Sequence, residues 1–196
     1  MQADLNNISK WCLENKLFLN PVKTELLVIQ TKKQIMTSLY KINDTVIKSF
    51  PYHKHLGILI DNKLNFHLNT EKLITSCYRK WGILKFICKY CDANTFLLLY
   101  KTFILPKIEF SNVIFTLNDS NMIKIENVQR TITRYICYKM GQNGLNYINR
   151  LESLKLLPLC IRKDIKILRL INKIIVNENI PENWKNILVF KRTGRN

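Results

Sequence analysis

The sequence predicts an α+β protein, in which a small antiparallel β unit with one helix is followed by a mostly α-helical bundle. Residues 1–62 contain short apolar runs separated by turn residues, which is the pattern of a few short strands. From about Asn65 onward the apolar residues recur at helical spacing, and no further strand is predicted. Hydrophobic residues make up 47% of the 196 residues, which is enough to form a packed core.

The first predicted element is an amphipathic helix over residues 3–15, for which Asp4 is a candidate N-cap. Apolar residues at helical spacing give this helix one face that we expect to be buried. That face carries Leu5, Ile8, Trp11 and Cys12.

Three extended pieces follow this helix. The Asn20-Pro21 pair predicts a turn, and residues 25–30 after it read as a buried strand. Residues 38–42 and 45–48 form a predicted hairpin closed at Asn43-Asp44, because both residues tolerate left-handed geometry. Residues 55–61 are predicted as one further strand.

The remainder of the chain is predicted to be helical. The helices cover residues 66–90, a segment from Asp92 or Asn94 that stops near Pro106, a segment from Asp119 or Ser120 to the Gly141–Gly144 turn, residues 147–154 and residues 159–176. The expected core side of the first of these consists of Leu68, Leu73, Ile74, Cys77, Trp81, Leu84 and Ile87. Residues 108–115 are expected to continue as helix, and Pro181 is expected to end the ordered part.

The charge of the chain is strongly positive. It has 31 Lys and Arg residues against 14 Asp and Glu residues, a net charge of +17, and both halves of the sequence are basic. A charge of this size favours an anionic partner, and nucleic acid is the first one to consider. Codon bias in an AT-rich gene, which raises Lys, Asn and Ile content, is the alternative explanation.

The six cysteines are scattered, and we expect reduced thiols in an intracellular protein, with nucleus and cytoplasm not distinguished. Cys88 and Cys91 have the spacing of a redox or zinc motif, but no second pair follows at a suitable distance. We therefore interpret residues 88–91 as the turn that ends a helix. No apolar run has the length of a membrane span, so no membrane partner is expected.

Several short segments occur in order along the chain: Asp4-Leu5 with Trp11, Asn15-Lys16-Leu17, Leu19-Asn20-Pro21-Val22-Lys23-Thr24, His55-Leu56-Gly57-Ile58-Leu59-Ile60-Asp61, Tyr100-Lys101 with Leu105-Pro106-Lys107-Ile108-Glu109-Phe110, Ile125-Glu126-Asn127-Val128-Gln129-Arg130, and Leu151-Glu152-Ser153-Leu154-Lys155-Leu156-Leu157-Pro158-Leu159 with Arg162. Their order resembles the C-terminal part of the reverse transcriptases of non-LTR retrotransposons (jockey-like and related elements). The resemblance extends to about residue 176. No single segment is specific; the resemblance lies in the ordered series.

The resemblance implies two regions: residues 1–62 are similar to the end of the polymerase palm and residues 63–180 to the helical thumb. The remaining residues 181–196 form a basic tail that we expect to be frayed. Lys23 corresponds to a palm lysine that lies near the triphosphate of the incoming nucleotide. His55, Leu56, Gly57 and Ile58 correspond to the primer grip, which positions the 3′ end of the primer. A glycine there would let the primer backbone approach closely; the alternative explanation is a strand glycine at a bulge.

The thumb of such enzymes holds the RNA or DNA primer–template duplex, which is therefore the expected partner. Basic residues of the helical region are candidates for its phosphate contacts. They are Arg79, Lys80, Lys85, Arg130, Arg134, Arg162, Lys163, Lys166 and Arg169. Taken one at a time, each is more often a solvated helix residue.

Nucleotidyl transfer requires metal ions held by clustered carboxylates, and the resemblance places these residues upstream of the segments matched here. The sequence contains no Asp-Asp pair. We therefore expect a partial reverse transcriptase that does not polymerise alone. Mg²⁺ is expected only in the full-length polymerase, and the missing upstream part is a possible partner for the open sheet edge. The alternatives are a domesticated RNA-binding helical protein and a structural interaction module without a nucleic-acid role.

Overall fold

The computed structural model describes residues 1–29, 39–110 and 119–176. Contacts divide the chain into two compact units, Met1–Lys72 and Leu73–Asn196. The first contains a helix and all the strands of the described residues, and the second is helical, as the α+β prediction required. The predicted boundary at residue 62 coincides with the end of the last strand, whereas the division by contacts falls later, inside a helix.

Helix α1, Gln2–Glu14, opens the first unit and packs against strand β2 (Lys41–Ile42). Met1 occupies the N-cap position, so the expectation that Asp4 caps the helix is wrong: Asp4 lies in the first turn. The predicted buried face is also only partly right. Cys12 is buried and Leu5 half-buried, but Ile8 and Trp11 are exposed because only one side of the helix has a packing partner among the described residues.

The strands are short and form three separate pairs. They are β1 (Glu25–Leu26), β2 (Lys41–Ile42), β3 (Thr45–Val46), β4 (Lys48–Ser49), β5 (Tyr52–His55) and β6 (Ile58–Asp61). The pairs β2–β3 and β5–β6 are antiparallel, but β1 pairs with β4 in parallel, which the antiparallel prediction did not include. This parallel pair is possible because the β2–β3 hairpin lies in the connection between its strands.

The predicted strand at residues 25–30 is too long and is not buried. Only Glu25 and Leu26 form ladder contacts, and Gln30 lies outside the described residues. Leu27 and Val28 are half-buried, while Glu25 and Ile29 are exposed, because β4 is the one partner strand of β1 within the described chain.

Two tight turns join the antiparallel strands. Asn43 and Asp44 both have positive φ and close the β2–β3 hairpin, which confirms the turn predicted there. Leu56 (φ 46°) and Gly57 (φ 88°) close the β5–β6 hairpin in the same way. The prediction of one strand over residues 55–61 is therefore wrong: two successive residues with positive φ reverse the chain rather than extend it.

The helices of the remaining chain are α2 (His67–Ile87), α3 (Ala93–Leu99), a π-helical segment (Tyr100–Ile104), α4 (Leu105–Glu109), α5 (Asp119–Lys139), α6 (Tyr147–Ser153) and α7 (Leu159–Val176). The predicted limits of α7 are confirmed, and α5 and α6 are confirmed to within a residue or two. Residues 111–118, Pro181 and the tail at 181–196 lie outside the described residues. None of the helices in the described ranges is long and apolar enough to cross a membrane.

Pro106 does not stop the helix that begins at Ala93. The chain passes through the π-helical segment, and Pro106 lies in the first turn of α4. A proline lacks the N–H of a regular helix, and its ring collides with the carbonyl four residues earlier. The wider π turn, in which the Leu105 N–H bonds the Tyr100 carbonyl, accommodates this collision, so the chain stays helical to Glu109.

The second unit packs around an aromatic cluster. The rings of Trp81, Phe96 and Tyr135 meet edge to face, with centroids 5.2 to 5.7 Å apart. On α2 the expected core residues Cys77 and Trp81 are buried, and Leu73, Ile74 and Leu84 are half-buried. Two residues of that predicted face, Leu68 and Ile87, are exposed instead.

Candidate nucleic-acid interface

A buried polar network connects α5 to the start of α7. The two carboxylate oxygens of Glu126 lie 3.2 and 3.0 Å from the backbone nitrogen of Leu159, which donates to them. Gln129, one turn further along α5, donates to the carbonyl of Leu157 at 3.1 Å. These bonds fix the chain on both sides of Pro158, so the position of α7 depends on two side chains of α5.

Two tyrosines complete this network. The Tyr100 hydroxyl donates to Gln129 Oε1 at 2.5 Å, the Tyr147 hydroxyl donates to Glu126, and Gln129 Nε2 donates to Tyr147 at 2.9 Å. Burial raises the pKa of both hydroxyls, and for Tyr147 the hydrogen bond to Glu126 adds to the effect. Both tyrosines are therefore neutral donors at physiological pH and can satisfy the buried acceptors.

A second polar cluster joins α4 to α7. The carboxylate of Glu109 accepts a hydrogen bond from Arg162 and lies 2.9 Å from Lys166 Nζ. Partial burial raises the pKa of Glu109, but the hydrogen bonds and charges of Arg162 and Lys166 outweigh it and bring the pKa below its usual range. Arg162 and Lys166 were expected to contact phosphates. In the structure both pair with the single carboxylate of Glu109, and a net charge of +1 is left on the cluster.

These contacts bring together residues from three of the segments singled out in the sequence. Tyr100 and Glu109 belong to one segment, Glu126 and Gln129 to a second and Arg162 to a third, and each takes part in one of the two clusters. The two clusters adjoin along α7, because Leu159 and Arg162 lie within one turn of each other on that helix. The segments therefore form the frame of the second unit.

The other basic candidates differ in how accessible their side chains are to a phosphate backbone. Arg79, Lys80, Arg134 and Arg169 are exposed. Arg130 is exposed as well, and its guanidinium lies 4.2 Å from the centre of the Tyr147 ring. Lys85 Nζ lies 5.4 Å from the Tyr135 ring, and Lys163 is half-buried with contacts of its own. Exposed arginines on α2, α5 and α7 are thus the best placed to reach a phosphate backbone.

Sequence reasoning missed two groups near the end of α2. Lys139 Nζ donates to the carbonyls of Lys89 and Cys91 and lies 5.5 Å from the Phe96 ring. Phe86 and Tyr90 are almost fully exposed. Helical spacing alone gave no signal for either group, because it predicts which residues share a face and not whether that face is covered.

In the first unit the candidate residues lie at two places, one in the turn before β1 and the others in the β5–β6 hairpin. Lys23 is exposed in the turn before β1, where the Asn20 side chain accepts hydrogen bonds from the backbone N–H groups of Val22 and Lys23. His55, Leu56 and Gly57 are exposed at the end of the β5–β6 hairpin.

Ile58 is buried and belongs to the core of the first unit, not to its surface. Gly57 lies in a turn at φ 88° and not at a strand bulge, which corrects that explanation of the glycine. The glycine is needed there for its left-handed backbone.

Asp61 is the last residue of the segment 55–61 that resembles the primer grip, and it organises the connection to α2. Its carboxylate accepts hydrogen bonds from the backbone N–H groups of Lys63, Asn65 and Phe66. Asn69 supports the same region, since its side chain accepts the N–H of Leu59 at 2.9 Å. Asp61 therefore has a structural role in which its charge is used by backbone donors.

The Cys88–Cys91 segment forms a turn after α2, with the Cys91 N–H bonded to the Cys88 carbonyl at 2.9 Å, as predicted. Within residues 1–29, 39–110 and 119–176, no group of three His, Cys, Asp or Glu side chains is placed to hold a metal ion. What the described surface offers a ligand is positive charge and exposed aromatic rings.

The chain matches no family model, no curated protein and no solved structure.

Proposed function

We propose that this chain is the palm-end and thumb part of a non-LTR retrotransposon reverse transcriptase, which binds a primed template and does not polymerise by itself. The observation that carries the proposal is the meeting of Tyr100, Glu109, Glu126, Gln129 and Arg162 in two adjoining polar clusters. These residues lie in segments whose order along the chain resembles that family. Hydrogen bonds between residues that are distant in sequence hold these segments together in the folded second unit.

Charge supports nucleic acid as the partner. The net charge is +17, and Arg79, Arg134 and Arg169 are exposed on three different helices of the second unit. Arginines on helix surfaces bind phosphates without regard to base sequence, which is what a thumb requires. Arg162 and Lys166 are both held by Glu109, so these two residues belong to the frame of the proposed interface.

The β5–β6 hairpin supports a primer-grip role for the first unit. Its turn presents the exposed side chain of Leu56, and Gly57 next to it has no side chain to obstruct a nucleic-acid backbone. Lys23 lies exposed at its own turn and is available to an anionic group such as a triphosphate. Both roles are carried over from the resemblance.

The experiment is a binding titration with two probes, a blunt RNA–DNA hybrid and a single-stranded RNA of the same sequence, and with heparin as a competitor. We expect the hybrid to bind near physiological salt and to lose affinity steeply as salt rises, because phosphate neutralisation releases counterions. Preference for single-stranded RNA over hybrid would favour a domesticated RNA-binding protein instead. If the chain bound neither the hybrid nor the single-stranded RNA, the result would favour a structural interaction module.

Primer extension tests the catalytic half of the proposal. The chain is incubated with a primed RNA template, deoxynucleotides and Mg²⁺ or Mn²⁺, and we expect no templated incorporation. Two-metal nucleotidyl transfer depends on clustered carboxylates, which the resemblance places outside this chain. Incorporation that follows the template would overturn this half while leaving the binding half intact.

A further inference from the structure

The end of α2 and the turn after it carry an unusual apolar surface. The exposed fractions are 52% for Ile83, 85% for Phe86, 71% for Ile87 and 93% for Tyr90. We call these four residues the α2 aromatic patch. Three of them lie on the last turns of the helix, and Tyr90 lies in the turn formed by residues 88–90. Contiguous exposed apolar residues of this size are uncommon on a soluble protein and usually mark a binding surface.

The surroundings of the patch are positively charged. Residues 72–91 contain Lys72, Arg79, Lys80, Lys85 and Lys89 and no Asp or Glu. Asp92, the next acidic residue, is committed to capping α3, where it accepts hydrogen bonds from the backbone and side chain of Thr95. An apolar partner alone would not need this charge, whereas an anionic polymer would.

The patch is held in place by contacts beneath it. Lys139 donates to the carbonyls of Lys89 and Cys91 and so fixes the turn that presents Tyr90. Lys89 Nζ lies 5.5 Å from the Tyr90 ring, and Lys85 Nζ lies 5.4 Å from the ring of Tyr135. The Tyr90 ring, with the Lys89 cation beside it on a fixed turn, is therefore preorganised, which reduces the ordering cost of binding.

We propose that the α2 aromatic patch binds single-stranded nucleic acid, with bases stacking on Phe86 and Tyr90 and phosphates contacting Lys85 and Lys89. Aromatic side chains that alternate with basic ones are the usual means of binding single strands without sequence preference. Bases in a duplex are already stacked on one another, so this surface selects unpaired nucleotides. The inference goes beyond the proposed function, because a single-strand site does not require that the chain come from a polymerase.

The test uses a labelled, unstructured RNA of about ten nucleotides, within the usual site size for single-strand binding, and follows its anisotropy on titration with the full chain. Phe86→Ala and Tyr90→Ala are each expected to weaken binding about fivefold or more, the effect of losing one base–aromatic stack. Tyr90→Phe retains the ring and should retain the affinity. Phe86→Leu retains apolar surface without a ring and should lose it.

Phe103→Ala is the matched control, because Phe103 is an exposed aromatic residue of the same unit on a different helical segment. It should leave RNA affinity unchanged. Blunt RNA–DNA hybrid serves as the second control: the patch variants should bind it as the unaltered chain does. Lys89→Gln should reduce the slope of log affinity against log salt by about 0.7, the value for one phosphate contact to a single strand.

Two outcomes would overturn the proposal. One is unchanged single-strand affinity in Phe86→Ala and Tyr90→Ala, with unfolding curves that show both variants folded. The other is a change in self-association by sedimentation without any change in RNA affinity, which would identify the patch as a protein-docking surface. A chain that binds the single strand through the patch but does not bind hybrid would support this inference and contradict the proposed function.

Discussion

Glu126 on α5 acts as the N-terminal cap of α7. Both of its carboxylate oxygens accept the backbone N–H of Leu159, the first residue of that helix, at 3.2 and 3.0 Å. The first N–H groups of a helix have no partner within it, and a negative charge near them also interacts favourably with the helix dipole. Pro158 precedes Leu159 and has no side-chain acceptor, so the cap is supplied by another helix.

Replacing Glu126 should therefore destabilise the second unit. Glu126→Leu leaves the Leu159 N–H and the Tyr147 hydroxyl without their acceptor in a buried site, and we expect a loss of about 2 to 4 kcal/mol in the free energy of unfolding. Glu126→Gln keeps one acceptor oxygen and should lose less. The measurement is denaturant unfolding followed by circular dichroism.

Glu152→Gln provides the matched control, since Glu152 is an exposed glutamate on α6. Its unfolding free energy should stay within about 0.5 kcal/mol of the unaltered chain, as for most surface substitutions. If Glu126→Leu were as mild as Glu152→Gln, the proposed capping role would be wrong.

The Glu109 cluster makes stability depend on pH. The hydrogen bonds from Arg162 and Lys166 outweigh burial and lower the pKa of Glu109, so its ionised form is favoured in the folded state. The stabilisation is complete above about pH 4 to 5, where an unfolded glutamate is also ionised, and is lost as pH falls through the lowered folded-state pKa. Glu109→Gln should therefore be less stable than the unaltered chain by about 1 to 2 kcal/mol at neutral pH, as for a charge-assisted hydrogen bond.

That difference should shrink as the pH falls below about 4, because the unaltered side chain then becomes neutral as well. Unfolding free energies of both proteins across this range provide the measurement. A difference that stayed constant down to the acid limit would mean that the Glu109 charge does not contribute to stability.

Local sequence signals predicted the elements that depend on local physics. The limits of α7 follow from its apolar spacing, and the Asn43-Asp44 turn follows from residues that tolerate positive φ. The helix through Pro106 could not be predicted in this way, because a π turn and long-range packing accommodate the ring. The Leu56-Gly57 turn was mistaken for strand because leucine is rare at positive φ.

The sequence predicted which residue types belong to the candidate site, but not how their side chains are arranged in space. The sequence identified Arg162 and Lys166 as cations, but their pairing with Glu109 depends on how α4 and α7 pack. Ile87 was assigned to the core by its spacing, yet it lies on a face that no described residue covers. Burial depends on the partners of a helix, and a single helix carries no information about them.

Arginines with different surroundings should respond differently to substitution. Arg134→Gln removes an exposed charge on α5 and should lower hybrid affinity a few-fold, with the salt slope reduced by about 0.9 for one lost phosphate contact. Arg162→Gln should mainly reduce stability, because its guanidinium is bonded to Glu109. Salt-dependent titrations and unfolding curves of both variants separate the two effects. A reversed pattern would place Arg162 at the nucleic-acid surface.

The cysteines should differ sharply in reactivity. Burial raises the pKa of Cys77 to about 11, although Lys107 and Lys80 oppose the effect, so little thiolate forms in the folded chain. Cys160 is exposed on α7. A thiol reagent at mildly alkaline pH should therefore label Cys160 early and Cys77 only after unfolding, as mass spectrometry of the peptides would show. Cys88 and Cys91 are half-buried, so Cys160→Ser should remove the early signal of the Cys160 peptide only. Early labelling of Cys77 would contradict its burial.

Leu56 is a leucine at φ 46° with 80% of its side chain exposed. A left-handed conformation costs such a residue about 1 to 2 kcal/mol, and asparagine tolerates it better. Leu56→Asn should therefore stabilise the first unit by about 0.5 to 1 kcal/mol in unfolding measurements. Strained backbone that is retained on a surface can reflect a functional requirement for the side chain. If the turn contacts a primer, Leu56→Asn should also weaken binding of the RNA–DNA hybrid.

The other hairpin offers the matched control. Asp44→Gly creates an Asn-Gly pair at the β2–β3 turn, where both residues already have positive φ, and should stabilise the unit comparably. Hybrid affinity should stay the same in this variant or rise slightly, because one negative charge is lost. If Leu56→Asn gained stability and bound hybrid as well as Asp44→Gly, the Leu56 side chain would have no part in primer contact, and the primer-grip role would be lost.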